Sequence, residues 1–508
     1  MTDPLDTLRR LAKTLHKSYE QGARDAISRV NAVTPRKDGV LKRADFLHVI
    51  ARENSFASWP QMKIAVETQG MDRAAKQQRL KVAIFHGQIQ VVQQLIWDTP
   101  DLAAGQFGLQ VALFDLPTVR AVLADDPGAA TRAFGPRRPI LHLAFSRMLQ
   151  LWPKREGDML AIAELLLTHG ANVNDGFPHE PGSDHKLSAL YGAIGHANNM
   201  ALGRWLLEHG ADPNDGESLY HATELGHHKG LEMLLVYGAK PQGTNALLRA
   251  MDFHDTAAVR ILLDAGADPN EYAGDPVGGE LPFVVPALFQ AARRQSPPAM
   301  IDLLLAAGAD PDQPWQGVHP YTAASVYGNI ALKERLPEVP LSPVEAAMAA
   351  CAEGRVENGR WIDPAKIPRP FQNILGEILG LPGRTEHLQA LVAAGLPWDA
   401  PDHQGMPPIH LAGWQGLPDM LDYFLRLGPD LSHVNSYGGT LLSTIIHGSE
   451  NCPERAERDY IACLRLVLEH GVALPKRAVN MAGEPDISDF LADWAEKHPG
   501  QVVEHGVV

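Results

Sequence analysis

The sequence contains few cysteines and no long apolar segment. Its three cysteines, Cys351, Cys452 and Cys463, form no CxxC pattern within 508 residues, which predicts reduced thiols rather than a disulfide framework. No apolar run approaches the ~18 residues that a membrane-spanning helix requires. The first residues, MTDPLDTLRR, lack the apolar core of a secretory signal. We therefore expect a cytoplasmic protein that has no membrane partner.

The sequence also lacks an excess of basic residues and the common catalytic motifs. With 45 Lys and Arg against 60 Asp and Glu, the net charge is -15 at pH 7, whereas a protein that follows a phosphate backbone needs clustered positive charge. No G-x-x-x-x-G-K-[ST], H-E-x-x-H or G-x-S-x-G motif is present. We expect no nucleic-acid partner, no cofactor and no metal site.

Self-similar segments occur through most of the chain. LLLTHGANVND, WLLEHGADPND, MLLVYGAKPQG, ILLDAGADPNE and LLLAAGADPDQ each combine an apolar helical stripe, a Gly and a polar turn. Each Gly is expected to end a helix in the left-handed conformation, which glycine adopts without steric cost. These glycines are Gly170, Gly210, Gly238, Gly266 and Gly308, with later equivalents at Gly395, Gly428 and Gly471. The long interval before Gly395 predicts an additional, degenerate unit around residues 343–381.

A shorter helix is predicted before each stripe. Its start is clearest in RPILHLAFS (138–146) and MPPIHLAGWQG (406–416). These segments resemble the start of the ankyrin repeat, T-P-L-H-x-A, whose period is about 33 residues. The resemblance implies an all-α, ankyrin-like solenoid of about 11–12 helix-hairpin repeats with long finger-loop insertions and a helical N-terminal cap. It also implies that His142 and His410 bond the backbone and stabilise a turn.

Three regions are predicted. Residues 1–74 form an N-terminal helical module or cap, which resembles a module found ahead of ankyrin repeats in bacterial proteins. Residues 75–475 form the repeat array, and residues 476–508 a C-terminal helical cap and tail. Two long finger loops, 172–186 and 270–286, are expected to lie over the groove that the resemblance places along the first helices.

The resemblance implies that a partner binds this groove, and the repeat register predicts the side chains that face it. The predicted binding residues combine aromatic rings with single charges of both signs, which suits a specific ligand or a protein surface. They are Asp215, Glu217, Tyr220, Arg249, Phe253, Gln290, Arg293, Arg294, Tyr327 and Trp414. Three consecutive units place His221, Arg249 and Gln290 where the family often has Leu. Such polar groups either form hydrogen bonds with one another and with neighbouring loops, or they face an enclosed ligand.

The first functional hypothesis is a binding scaffold that engages a protein or peptide partner. The alternative is a cofactor-independent enzyme, of lyase, isomerase or hydrolase type, or a binder of a small polar or anionic metabolite, with its site in the middle of the groove. In that alternative, His221 or His196 is the acid–base group, Glu224 or Asp252 its partner, and Arg249 or Arg293 holds an anionic group.

Overall fold

The computed structural model describes residues 4–33, 41, 43–180, 182–271, 285–355, 361–482 and 484–504. Within these residues the chain forms two compact units, which divide between Ala246 and Leu247. Each unit is described by itself. Residues 272–284, most of the second predicted finger loop, lie outside the described residues.

The first unit is helical apart from one short hairpin. The hairpin pairs β1 (Gly176–Pro178) with β2 (Lys186–Ser188) in antiparallel register. The helices are α1 (Pro4–Glu20), α2 (Arg24–Val33), α3 (Arg43–Glu53), α4 (Trp59–Thr68), α5 (Arg73–His86), α6 (Ile89–Asp98), α7 (Phe107–Ala112), α8 (Leu116–Asp125), α9 (Pro139–Ala144), α10 (Glu156–Thr168), α11 (Ala189–Tyr191, continued by a wider turn over Gly192–His196), α12 (Met200–Glu208), α13 (Ser218–Ala222) and α14 (Lys229–Val236).

The second unit is also helical. It ends with a short parallel pair of β3 (Leu474–Pro475) and β4 (Val502–Val503). Its helices are α15 (Ala246–Asp252), α16 (Thr256–Asp264), α17 (Ala287–Arg294), α18 (Pro298–Ala306), α19 (Pro320–Tyr327), α20 (Ile330–Lys333), α21 (Pro343–Ala352), α22 (Ile374–Ile378), α23 (Thr385–Ala393), α24 (Pro408–Trp414), α25 (Pro418–Arg426), α26 (Leu441–Asn451), α27 (Tyr460–Glu469), α28 (Lys476–Met481) and α29 (Pro485–Lys497).

Helix pairs stack one after another within each unit. In the first unit α7 packs on α9 and α8 on α10, and in the second α17 packs on α19 and α16 on α18. First helices thus contact first helices, and second helices contact second helices, which buries one continuous apolar layer between neighbours. This arrangement confirms the predicted all-α, ankyrin-like solenoid. The proposed domain limits at 74/75 and 475/476 stay predictions, and α5 begins just before the first of them.

The predicted helix-ending glycines have the expected conformation. In the five segments quoted above, Gly170, Gly210, Gly238, Gly266 and Gly308 have φ between +89° and +95°. At three helix ends the residue directly before the glycine is a histidine: His169, His209 and His470. The Nδ1 atom of His169 is 2.7 Å from the carbonyl oxygen of Leu165, and His209 and His470 bond the carbonyl four residues earlier in the same way. Each imidazole therefore adds a second hydrogen bond to a last-turn carbonyl that already accepts from the backbone nitrogen of the same histidine.

An asparagine in the polar turn connects each of three repeats to the next one. The Nδ2 atom of Asn174 donates to the carbonyl oxygen of Gly210 at 3.0 Å, and its Oδ1 atom accepts from the backbone nitrogen of Asp212 at 2.7 Å. Asn214 and Asn270 make the equivalent two bonds. One side chain therefore pairs both a helix-end carbonyl and a loop N–H of the following unit.

We expect Asn174→Ala to lower the free energy of unfolding by about 1–2 kcal/mol, because it removes two hydrogen bonds of roughly 0.5–1.5 kcal/mol net each. Asn174→Asp keeps the acceptor and loses the donor, so its loss should be smaller. Urea titration followed by circular dichroism measures both. Equal losses in the two variants would contradict this account of the amide.

The degenerate unit around residues 343–381 is present in the second unit. It contains α21, a turn at Arg369–Phe371 and α22. Phe371 is fully buried and packs on Phe289 and Tyr327, with ring centroids 6.3 and 5.7 Å away. This segment therefore adds to the core although its sequence has lost the repeat pattern.

Candidate functional site

His221 lies between two carboxylates in the first unit. Glu217 directly precedes α13, so Glu217 and His221 are one helical turn apart. The Nε2 atom of His221 is 2.9 Å from Glu217 Oε2, and its Nδ1 atom is 2.8 Å from Glu224 Oε2. Both ring nitrogens can donate only if the imidazole is protonated, so the geometry holds an imidazolium.

The electrostatics of His221 agree with this geometry. Burial alone lowers the pKa of His221, but the hydrogen bonds with Glu217 and Glu224 outweigh burial and raise that pKa to about 9. A general base must be unprotonated near the working pH. The predicted pair of His221 and Glu224 is therefore present, and its charge state favours an ion-paired structural role over proton abstraction.

Glu217 also connects the long loop 172–186 to α13. The Nε2 atom of His185, next to β2, is 2.6 Å from Glu217 Oε1, and Glu217 is 5% exposed. Two histidines thus meet one buried carboxylate. Sequence analysis named both His221 and Glu217 as candidate site residues but did not predict the contact with His185, which the hairpin brings into place.

Asp215 and Tyr220 have contacts typical of a scaffold. The carboxylate of Asp215 accepts from the backbone nitrogen of Ser218 at 2.8 Å and from the Ser218 hydroxyl at 2.6 Å, and the Ser188 hydroxyl also donates to it. Asp215 therefore caps the start of α13 and holds the end of β2. The ring of Tyr220 meets the ring of His221 edge to face, with centroids 5.0 Å apart.

His196 contacts aromatic residues instead of a carboxylate. Its Nε2 atom is 2.9 Å from the carbonyl oxygen of Phe85, and its ring centroid is 4.2 Å from that of Phe85 and 5.3 Å from that of Phe145. Burial lowers the pKa of His196 to about 3, so the ring is neutral and its Nε2–H donates to Phe85. These contacts join separate repeats of the first unit.

In the second unit, Asp252 is the centre of a polar cluster. Its Oδ1 atom accepts from Gln290 Nε2 at 2.6 Å and from Arg294 Nε at 2.8 Å, and Arg249 Nη1 is 3.4 Å from Oδ2. The guanidinium of Arg249 also lies 4.7 Å above the ring of Phe253, which is 48% exposed. The structure brings these five predicted residues together, and Asp252 supplies the polar partner that Arg249 and Gln290 require.

Four of the predicted binding residues are buried: Glu217, Gln290, Arg293 and Tyr327. For Arg293 and Tyr327 the burial corrects the prediction that they contact a partner. Arg293 is 3% exposed and Tyr327 is fully buried. Arg293 Nη1 is 3.5 Å from Glu377 Oε1, and the Tyr327 hydroxyl donates to the other oxygen of the same carboxylate. Glu377 comes from α22, so the degenerate unit covers both side chains, and neither can contact a partner in this structure.

Other residues from the predicted groove positions line one cavity in the second unit, which we call the Trp414 cavity. Its volume is about 440 Å³, within the roughly 300–1,000 Å³ range of ligand pockets. Asp252, Arg294 and Trp414, each predicted from the sequence, contribute to it, together with Gln415. Its other polar lining residues include His254, Gln372, Asn373, Glu377, Asp402, His403, Glu454 and Arg458.

Several polar groups of the Trp414 cavity make no hydrogen bond within the described part of the chain. They are the side-chain amides of Gln372, Asn373 and Gln415, and the buried Nε atom of Arg458. By contrast, the carboxylates of Asp252 and Glu377 are engaged as described above. The cavity therefore presents amide and guanidinium groups next to an indole ring, a composition suited to peptide groups and to aromatic or acidic side chains.

The stacked helix pairs, left-handed glycines and inter-repeat asparagines define a repeat protein of the solenoid class. Residues 190–273 match the family model for ankyrin repeats, in three copies. This chain therefore contains ankyrin repeats. The chain is also similar to the crystal structure of the human ASB11 ankyrin repeat domain, with 18% sequence identity and a TM-score of 0.24. The match covers 48% of this chain and 96% of the ASB11 chain. No curated protein sequence matches the chain.

Ankyrin repeats are generally protein–protein interaction modules. Among the described residues, no helix has the length and apolar character needed to cross a membrane. The same residues contain no group of His, Cys, Asp and Glu side chains arranged to hold a metal ion.

Proposed function

We propose that this protein is a binding scaffold that holds a peptide segment of a protein partner in the Trp414 cavity. The observation that supports the proposal is that groove positions of separate repeats, Asp252, Arg294, Trp414 and Gln415, line this one cavity. A cytoplasmic location, expected from the sequence, stays a prediction.

The chemistry of the lining favours a peptide. Gln372, Asn373 and Gln415 carry amides with both donor and acceptor groups, which can pair with the N–H and C=O groups of an extended backbone. Trp and Arg dominate the energetics of many protein interfaces because they combine large contact area with polar groups. Trp414 and Arg458 lie in the same cavity, so we expect them to anchor one side chain of the partner.

The first test is a comparison of variants against a captured partner. Proteins retained from source-cell lysate by the purified chain are identified, and the recovered partner is purified for calorimetric titration. We expect Trp414→Ala to weaken binding by about 2 kcal/mol, or about thirtyfold in Kd. Trp361→Ala is the matched control, since Trp361 is 76% exposed in the same unit and lies outside the cavity lining.

Arg458→Gln gives an independent arm of the test, because it changes a half-buried rim residue without removing a large core side chain. It should weaken the same partner and leave the unfolding midpoint near that of the wild type. A partner whose affinity is unchanged by both Trp414→Ala and Arg458→Gln would refute the proposed site.

The volume of the Trp414 cavity also supports a second candidate, the binding of a small polar or anionic metabolite. Native mass spectrometry of the purified protein should then show a bound mass that Arg458→Gln releases. Peptide binding predicts no such mass and an affinity that depends on Trp414.

A further inference from the structure

A second cavity lies in the first unit, and its lining differs from that of the Trp414 cavity. We call it the Arg137 cavity. Its volume is about 370 Å³, and its lining includes Lys81, Phe85, Phe134, Arg137, His142 and Phe145. No Asp or Glu is among the described residues that line it. In a chain with a net charge of -15, an apolar cavity with only basic charges is a local exception.

Arg137 is held by aromatic rings instead of by a carboxylate. Its guanidinium carbon lies 4.3 Å from the ring centroid of Phe177, 4.7 Å from that of Phe85 and 4.8 Å from that of Phe145. Ring faces attract a cation, but they leave the N–H edges of the guanidinium without strong acceptors. The buried Nε atom has no hydrogen-bond partner, and the described residues provide no ion pair to Arg137.

The positive charge of Arg137 affects its neighbours. Burial and, to a smaller extent, the charges of Arg137 and Lys81 lower the pKa of His142 to about 4. The neutral His142 ring bonds the carbonyl oxygen of Phe134 at 3.0 Å, so it supplies no negative charge. Lys81 is exposed at the rim and makes no ion pair within the described residues. Two cations therefore face the same cavity without a counter-ion.

We propose that the Arg137 cavity binds a small monocarboxylic acid with an aliphatic or aromatic body. The planar carboxylate matches the fork of guanidinium N–H donors and forms charge-assisted hydrogen bonds with it. Lys81 adds a second positive charge at the rim. The apolar body lies against Phe85, Phe145 and the buried Leu109, where it removes apolar surface from water.

A carboxylate suits this lining better than a phosphate. A phosphate dianion carries more charge and more acceptor oxygens than one guanidinium edge and one exposed ammonium can satisfy. The rest of the cavity is largely aromatic and aliphatic, so an unsatisfied phosphate oxygen would be buried without a partner, which is unfavourable.

The test uses the full-length protein and ligand-observed NMR titration with hexanoate and benzoate. We expect both acids to bind and hexanamide, the uncharged analogue of hexanoate, to bind at least about tenfold more weakly. Arg137→Gln should weaken hexanoate by about 10–100-fold, the range expected for hydrogen bonds to a charged group. Arg120→Gln is the matched control, since Arg120 is exposed on α8 and outside the cavity lining, and it should leave Kd unchanged.

Lys81→Gln keeps the proposal testable if Arg137→Gln does not fold. Because Lys81 is exposed, its removal should preserve the fold and weaken hexanoate by about threefold, as expected for a rim charge, and raising the ionic strength should have a similar effect. Equal binding of hexanoate and hexanamide, tighter binding of inorganic phosphate than of hexanoate, or an affinity unchanged in folded Arg137→Gln would each overturn the proposal.

Discussion

Glu377→Gln is expected to lower the free energy of unfolding by about 3 kcal/mol or more, in the range found when one partner of a buried ion pair is removed. Arg293 is 3% exposed, and its Nη1 atom is 3.5 Å from Oε1 of the Glu377 carboxylate. A neutral amide would leave the guanidinium charge buried and would also weaken the hydrogen bond from Tyr327. Urea titration followed by circular dichroism measures the loss.

Glu353→Gln is the control for this variant. Glu353 pairs with Lys333 and Arg355 on the surface of the same unit, where an ion pair contributes only about 0–1 kcal/mol. Tyr327→Phe removes one hydrogen bond and keeps the ion pair, so its effect should lie between the two. If Glu377→Gln were no more destabilising than Glu353→Gln, the buried pair would not have the proposed role.

The His221 ion pairs should make stability depend on pH. The pKa of His221 in the folded protein is about 9, above the ordinary histidine value of 6.5. Because the pKa is raised in the folded protein, the stability that the His221 ion pairs contribute is fully present below about pH 6.5. It is lost as the pH rises through 9. The shift corresponds to about 3 kcal/mol at 1.36 kcal/mol per pKa unit. We expect the wild type to lose stability between these limits.

His221→Gln should remove most of this pH dependence and should be less stable than the wild type at pH 6. His209→Gln, at the exposed end of α12, is the control and should retain the wild-type profile. Unfolding midpoints measured from pH 5 to pH 10 compare the three proteins. Parallel profiles for the wild type and His221→Gln would show that the imidazole is not held between charged carboxylates.

The site residues differ in how far the sequence could predict them. His221 replaces an apolar residue of the repeat. The sequence allowed two interpretations, in which His221 forms hydrogen bonds within the protein or contacts a ligand. The spacing itself favours the first interpretation. Glu217 and Glu224 lie four residues before and three residues after His221, and both are within reach of His221 on a helical turn. Asn174, Asn214 and Asn270 recur in the sequence four residues after a helix-ending glycine. The backbone groups that they bond belong to the next repeat and have no sequence signal of their own.

The burial of Arg293 and Tyr327 could not be predicted from the register. The register assumes that every unit presents its first helix in the same way, whereas the degenerate unit brings Phe371 and Glu377 over the predicted groove residues. Arg137 was missed for a similar reason. Phe85, Phe145 and Phe177 come from α5, the end of α9 and β1, and only their convergence produces an aromatic site around one guanidinium.

The local pattern of the sequence determined the helix pairs, the left-handed glycines and the imidazoles that bond backbone carbonyls, because these depend on residues within one or two turns. It also indicated Asp252, Arg249 and Arg294, which the structure brings into contact, since neighbouring repeats share one register. Tertiary structure alone decided which polar groups are buried with partners and which face a cavity. That outcome depends on side chains from several repeats, and on a unit whose sequence no longer shows the repeat.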